Sequence, residues 1–133
     1  MANPNIAALT SIYGNTAYVT PSGTTVSTAW TYNGNTSLTG LTPASGTVNK
    51  ITGLIVSNVT ASTVNATVSV SNNATYGSGT AFPIAYAISV PANASLIVID
   101  KTTDFYVTEN QSIGVISSTG SALTFTAVFE AIS

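Results

Sequence analysis

The side chains that could do acid–base or metal chemistry are few enough to name: Lys50, Lys101, Asp100, Asp104, Glu109 and Glu130. Three of the acids, Asp100, Asp104 and Glu109, fall close together in the later part of the chain. Asp100 and Asp104 flank a turn, and hard carboxylate oxygens at such positions are calcium ligands in principle. Lys101 stands between them and opposes a cation, and the loop lacks the dense alternation of acids that a calcium site needs. A solvated turn fits these residues better. A carboxylate pair could also serve glycoside hydrolysis, but no insertion here looks able to form a cleft around one. There is no His and no Cys, which removes imidazole acid–base catalysis, thiol nucleophiles, thiolate or imidazole metal sites and disulfides. The residues therefore predict no enzyme, no metal site and no cofactor.

The second candidate chemistry is stacking. Trp30, Tyr32, Tyr76, Tyr13 and Tyr18 lie among Asn, Ser and Thr, a setting that suits contact with sugars. The plainer account is core or interface packing, in which Tyr and Trp bury a large body and keep one polar tip satisfied. Gly77 and Gly79 make no phosphate fingerprint, because no helix follows them. Six Asn-x-Ser/Thr sequons occur, at Asn35, Asn58, Asn65, Asn73, Asn93 and Asn110. The composition alone produces such triplets, with 23 Thr, 17 Ser and 12 Asn in 133 residues.

The elements that position these residues are β-strands. Thr, Val, Ile, Tyr and Phe suit a pleated surface, and the common helix formers are scarce. Val64, Ala66, Val68 and Val70 alternate with polar residues, the period of a half-buried strand. Leu123, Phe125, Ala127 and Phe129 do the same against Thr124, Thr126, Val128 and Glu130. Val48–Val59 holds the block Gly53-Leu54-Ile55-Val56, which predicts a strand buried on both faces. Ile84, Tyr86, Ile88 and Val90 alternate with small residues, and Pro83 places that strand at an edge or a bulge. Leu96–Ile99, Phe105–Thr108 and Ile113–Ile116 are further short strands. Thr16–Thr20 and Thr24–Tyr32 precede them, with Gly14-Asn15 and Pro21-Ser22-Gly23 as turns. Residues 33–47 read as a long surface connection, and residues 1–12 as an extended N-terminal arm. The expectation is one domain over 1–133: an all-β antiparallel sandwich, jelly-roll-like, of about eight strands.

Charge then bears on partners. Only 5% of residues are charged, against about a quarter in ordinary soluble domains. Two Lys cannot neutralise a run of phosphates, so nucleic acid is not an expected partner. No apolar run is long enough for a membrane helix, and the first residues lack the basic region and apolar stretch of a secretory signal. β-Proteins guard exposed edges with Lys and inward charges. A chain without them is expected to have its edges covered by other subunits, as a homo-oligomer or within a larger assembly.

Four segments carry a family resemblance: SIYGNT at 11–16, ITGLIVSNVTASTVNATVSVSN at 51–72, FPIAYAISVPANASLIVIDKTTDFYVTENQSI at 82–113 and LTFTAVFEAIS at 123–133. The most specific piece is Ser89-Val90-Pro91-Ala92-Asn93-Ala94, followed by an apolar strand and Asp100-Lys101. In these segments the chain resembles short virion structural proteins of tailed phages, especially those of marine cyanobacteria. Residues 21–50 match poorly, and the family has more acids near Glu109 and Glu130. The resemblance implies a particle component, with capsid cement or decoration as the leading role and a neck, tail or fibre part as the alternative. A glycan-binding sandwich using Trp30, Tyr32 and Tyr76 is a further alternative. On the leading reading the protein resides in the virion after assembly in the host cytoplasm. Its partners are the major capsid protein or copies of itself, and no small-molecule ligand is expected. The arm and Asn3, Pro4, Trp30, Tyr32 and Tyr76 are the expected contact residues.

Overall fold

A computed structural model describes residues 8–34 and 36–133. Strands dominate it: β1 (Ile12–Val19), β2 (Ala29–Tyr32), β3 (Thr36–Thr39), β4 (Val48–Asn58), β5 (Val64–Ser71), β6 (Ala81–Val90), β7 (Ser95–Ile99), β8 (Phe105–Val107), β9 (Ser112–Ser117) and β10 (Leu123–Ile132). One sheet runs β3-β2-β1-β10-β4-β7, with β8 also paired to β4; the other runs β6-β5-β9. All named pairings are antiparallel. Ser27 forms an antiparallel bridge to Val115 on the outer side of β9. With that segment counted as a strand, the interleaving is that of a jelly roll. First and last strands pair at the centre of one sheet, and the chain crosses repeatedly between the two sheets. The β2–β3 hairpin adds two strands at one edge, and the strand beside β4 is split into β7 and β8; with the Ser27 bridge not itself a named strand, this gives ten strands where the sequence predicts about eight.

The core lies between the sheets. Ile51, Leu54 and Val56 of β4 and Leu123, Phe125, Ala127 and Phe129 of β10 meet Val64, Ala66 and Val68 of β5 and Ile113 and Val115 of β9. The period-two residues of β5 and β10 point inward as the sequence implies. On the outer face of the larger sheet the register aligns Thr124 with Ser57 and Ser57 with Ser95. Hydroxyls there bond one another: Thr20 to Thr124 at 3.0 Å and Ser57 to Ser95 at 3.2 Å. A further pair, Ser11 and Ser133 at 2.7 Å, ties the start of β1 to the last residue.

Several expectations change. Gly14-Asn15 is not a turn but lies inside β1, where it pairs with Glu130 and Phe129. Residues 33–47 are not simply a surface connection: they contain β3, and Leu41 is fully buried. Asn33 and Gly34 take positive φ to reverse the chain between β2 and β3. Gly40 and Leu41 do so again (φ 66° and 53°) and aim Leu41 into the core. The Asn49 amide fixes that bend by donating to the Leu41 carbonyl at 2.9 Å. β4 is buried on its inner face, but Ile55 is exposed on the other, because one smaller sheet covers only one side. Of the expected arm 1–12, Ile12 already belongs to β1, and the Thr10 and Ser11 amides donate to the Ser133 carbonyl.

Candidate functional site

The acids predicted to sit in a turn do so, each with a local partner. The Asp100 carboxylate accepts from the Thr102 hydroxyl at 2.6 Å and from the Thr102 amide at 2.9 Å. These bonds to Thr102 hold its pKa below the ordinary 3.8. Asp104 pairs with Lys50 across 3.4 Å, and this hydrogen-bonded carboxylate raises the Lys50 pKa above 10.5. Glu109 accepts weakly from the Gly46 amide at 3.4 Å. Among the described residues no three acids converge where they could hold a metal ion. Among the same residues no helix is long and apolar enough to cross a membrane.

The aromatics separate into different environments. Trp30 is wholly buried in β2 and donates its indole N–H to the Ile113 carbonyl at 3.3 Å. It joins the two sheets and has no surface to offer a partner, so its expected place among contact residues is corrected to a core role. Tyr76, half-buried in a 3-10 turn, lies over Gly114 on the outer side of the smaller sheet. A Cβ at Gly114 would stand 2.6 Å from that ring, so the absence of a side chain there makes room for it. Tyr32 is half-buried on the same face of β2 as Trp30, one pleat on, and its ring meets Phe129 at a centroid distance of 6.1 Å. Trp30, Tyr32 and Tyr76 thus form no common platform. Asn3 and Pro4 lie outside the described residues, as does Asn35.

The surface that sequence reasoning underestimated is β6. This ten-residue strand pairs only with β5, and its other edge has no strand partner among the described residues. Register shifts opposite Ala66–Val68 and Val68–Ser69 insert extra residues into it, and Ala87 takes φ 48° within one bulge. The bulges break the simple alternation, so that Ala85 and Val90 turn inward. Phe82, Ile84, Tyr86 and Ile88 are left 55%, 43%, 73% and 41% exposed. Ile97 of β7 is also exposed, but it pairs with Ile55 on the outer face of the larger sheet and is no part of this surface. No Lys, Asp or Glu lies within β6, so no ionic side chain on the strand itself guards its edge. Pro83 signals an edge; the register shifts need the bulges, which no local motif announces.

A second feature lies where the larger sheet extends past the smaller one. Tyr32, Phe129, Tyr13, Asn15 and Asn49 line an open groove of about 600 Å³, bounded on one side by residues 43–47. Compared with protein-family models, with curated proteins and with solved structures, the chain matches none.

Proposed function

We propose that this chain is a non-enzymatic virion structural protein, with capsid cement as its leading role. The single observation behind the reading is the β6 edge: long, apolar, bulged and without charge. Two bulges and Pro83 blunt this edge against an added strand, so its apolar side chains take an apolar face of a neighbouring subunit. An exposed apolar patch of this character marks an interaction surface. On a capsid the partner is the major shell subunit or a second copy of this chain held on the lattice. Many contacts of ordinary size then act together, because each bound copy raises the effective concentration of the next contact. The family resemblance of segments 11–16, 51–72, 82–113 and 123–133 supports the same assignment.

The test is stoichiometry in purified particles. Cement is expected in numbers comparable to the major shell subunit, and particles lacking it are expected to break at lower temperature. A small fraction of that number moves the protein to a neck, tail or fibre. Absence from particles overturns the reading.

A further inference from the structure

The groove at the open end of the sandwich has no part in the proposed docking. We infer that it is a binding site for a neutral saccharide, with Tyr13 as the stacking surface and Asn49 as the buried polar anchor. This does not rest on the virion reading; of the aromatics that the sequence offered for sugar contact it keeps Tyr13 and Tyr32, without Trp30 and Tyr76, and adds Asn49. Its volume, about 600 Å³, is that of an ordinary ligand site.

The chemistry of the lining selects the ligand class. Tyr13 is 67% exposed at the rim, while Tyr32 and Phe129 form a tilted pair deeper in. Asn49 is 2% exposed. Its Nδ2 donates to the Leu41 carbonyl, which fixes the amide orientation. Among the described residues its Oδ1 has no hydrogen-bond partner, and no buried side-chain polar atom is left without one. That oxygen therefore reaches solvent, and Asn49 lines the groove. Asn15 stands at the mouth and donates only to the Tyr13 carbonyl of its own strand. No Lys, Arg, Asp or Glu lines the groove, so a charged ligand finds no counter-charge. Aromatic faces with fixed amides match the C–H faces and hydroxyls of a sugar ring. A purely apolar ligand would leave the Asn49 oxygen desolvated and unpaired.

The probe set is neutral gluco-, galacto-, manno- and N-acetylglucosamine hexasaccharides, with an acidic oligosaccharide and an apolar octapeptide beside them. Each is titrated into the ¹⁵N-labelled full chain. At least one neutral sugar is expected to shift the amides of Tyr13, Asn15, Tyr32 and Thr47, with a Kd of about 1 mM or below. Tyr13→Ala is expected to weaken it about tenfold while the melting temperature holds, since the ring is mostly in solvent. A Tyr86→Ala variant on β6 is expected to bind sugar as the parent does, which separates this site from the docking edge. Silence toward every neutral sugar at about 10 mM overturns the inference. So do shifts that survive Tyr13→Ala, or tighter binding of the acidic sugar or the peptide.

Discussion

Placing charge on the β6 edge should weaken docking sharply and leave the fold intact. Full burial of a large apolar side chain contributes about 2 kcal/mol. Phe82, Ile84, Tyr86 and Ile88 are 55%, 43%, 73% and 41% exposed, so covering what remains open contributes about 4 kcal/mol, or about a thousandfold in affinity. Tyr86→Lys combined with Ile88→Lys removes about half of that. It also obliges a partner to desolvate two ammonium groups, so docking should weaken about fortyfold or more. Both positions are substantially exposed in the free chain, so stability should change by no more than about 0.5 kcal/mol. The assay adds labelled parent or variant protein to particles lacking the chain and measures bound copies after sedimentation, with a thermal melt as the fold control. A variant that folds normally and saturates particles at the parent's concentration refutes the assignment of β6 as the docking edge.

Three further outcomes follow from the same structure. Gly40→Ala should lower stability by about 2 kcal/mol, seen in a urea or thermal melt. The residue has φ 66°, and an added Cβ would stand 2.5 Å from the Ser112 Cβ. Trp30→Phe should cost about 2 kcal/mol, by orphaning the Ile113 carbonyl and opening a void, and lower the melting temperature by about 6 °C; an unchanged melt would contradict the inter-sheet role of the indole. Stability should be flat from about pH 5 to 9, because no histidine titrates there. Asp100 has a lowered folded pKa, so its contribution is present above its unfolded value and fades as pH falls through the folded one. Lys50 has a raised folded pKa, so its contribution is complete below the unfolded value and fades as pH rises through the folded one. A carboxyl-carbon NMR titration should place Asp100 below 3.8, and Thr102→Val should bring it back up.

What was readable in the chain follows from how locally each feature is encoded. The inward faces of β5 and β10 are written at period two, and the all-β class follows from composition. The interleaved strand order depends on contacts between distant segments, such as β1 with β10 and Ser27 with Val115, so only the strand count hinted at it. Residues 33–47 look like a loop because Gly, Pro, Ser and Thr dominate them. Leu41 is buried there by two successive left-handed residues, which composition does not report. Ile55 and Ile97 lie in apolar runs that suggest burial on both sides, yet a three-stranded sheet cannot cover both faces of a seven-stranded one. Of the expected contact residues, Trp30 shows the difficulty most plainly, because an indole among threonines looks the same in sequence whether it faces a partner or a core. The groove draws on β1, β2, β4 and β10 together, so Tyr32 was visible as a candidate and Asn49 was not.

The hydroxyl row that links Thr20 to Thr124 and Ser57 to Ser95 gives the larger sheet an outer surface joined by neutral bonds. Screening by dissolved ions acts on separated charges such as the half-exposed contact of Lys50 with Asp104, and the hydroxyl bonds offer it nothing to weaken. Ions excluded from protein surfaces strengthen apolar burial instead. The domain and whatever rests on its β6 side should therefore hold together at least as well in brine as in dilute buffer, a tolerance obtained by leaving ionic groups out.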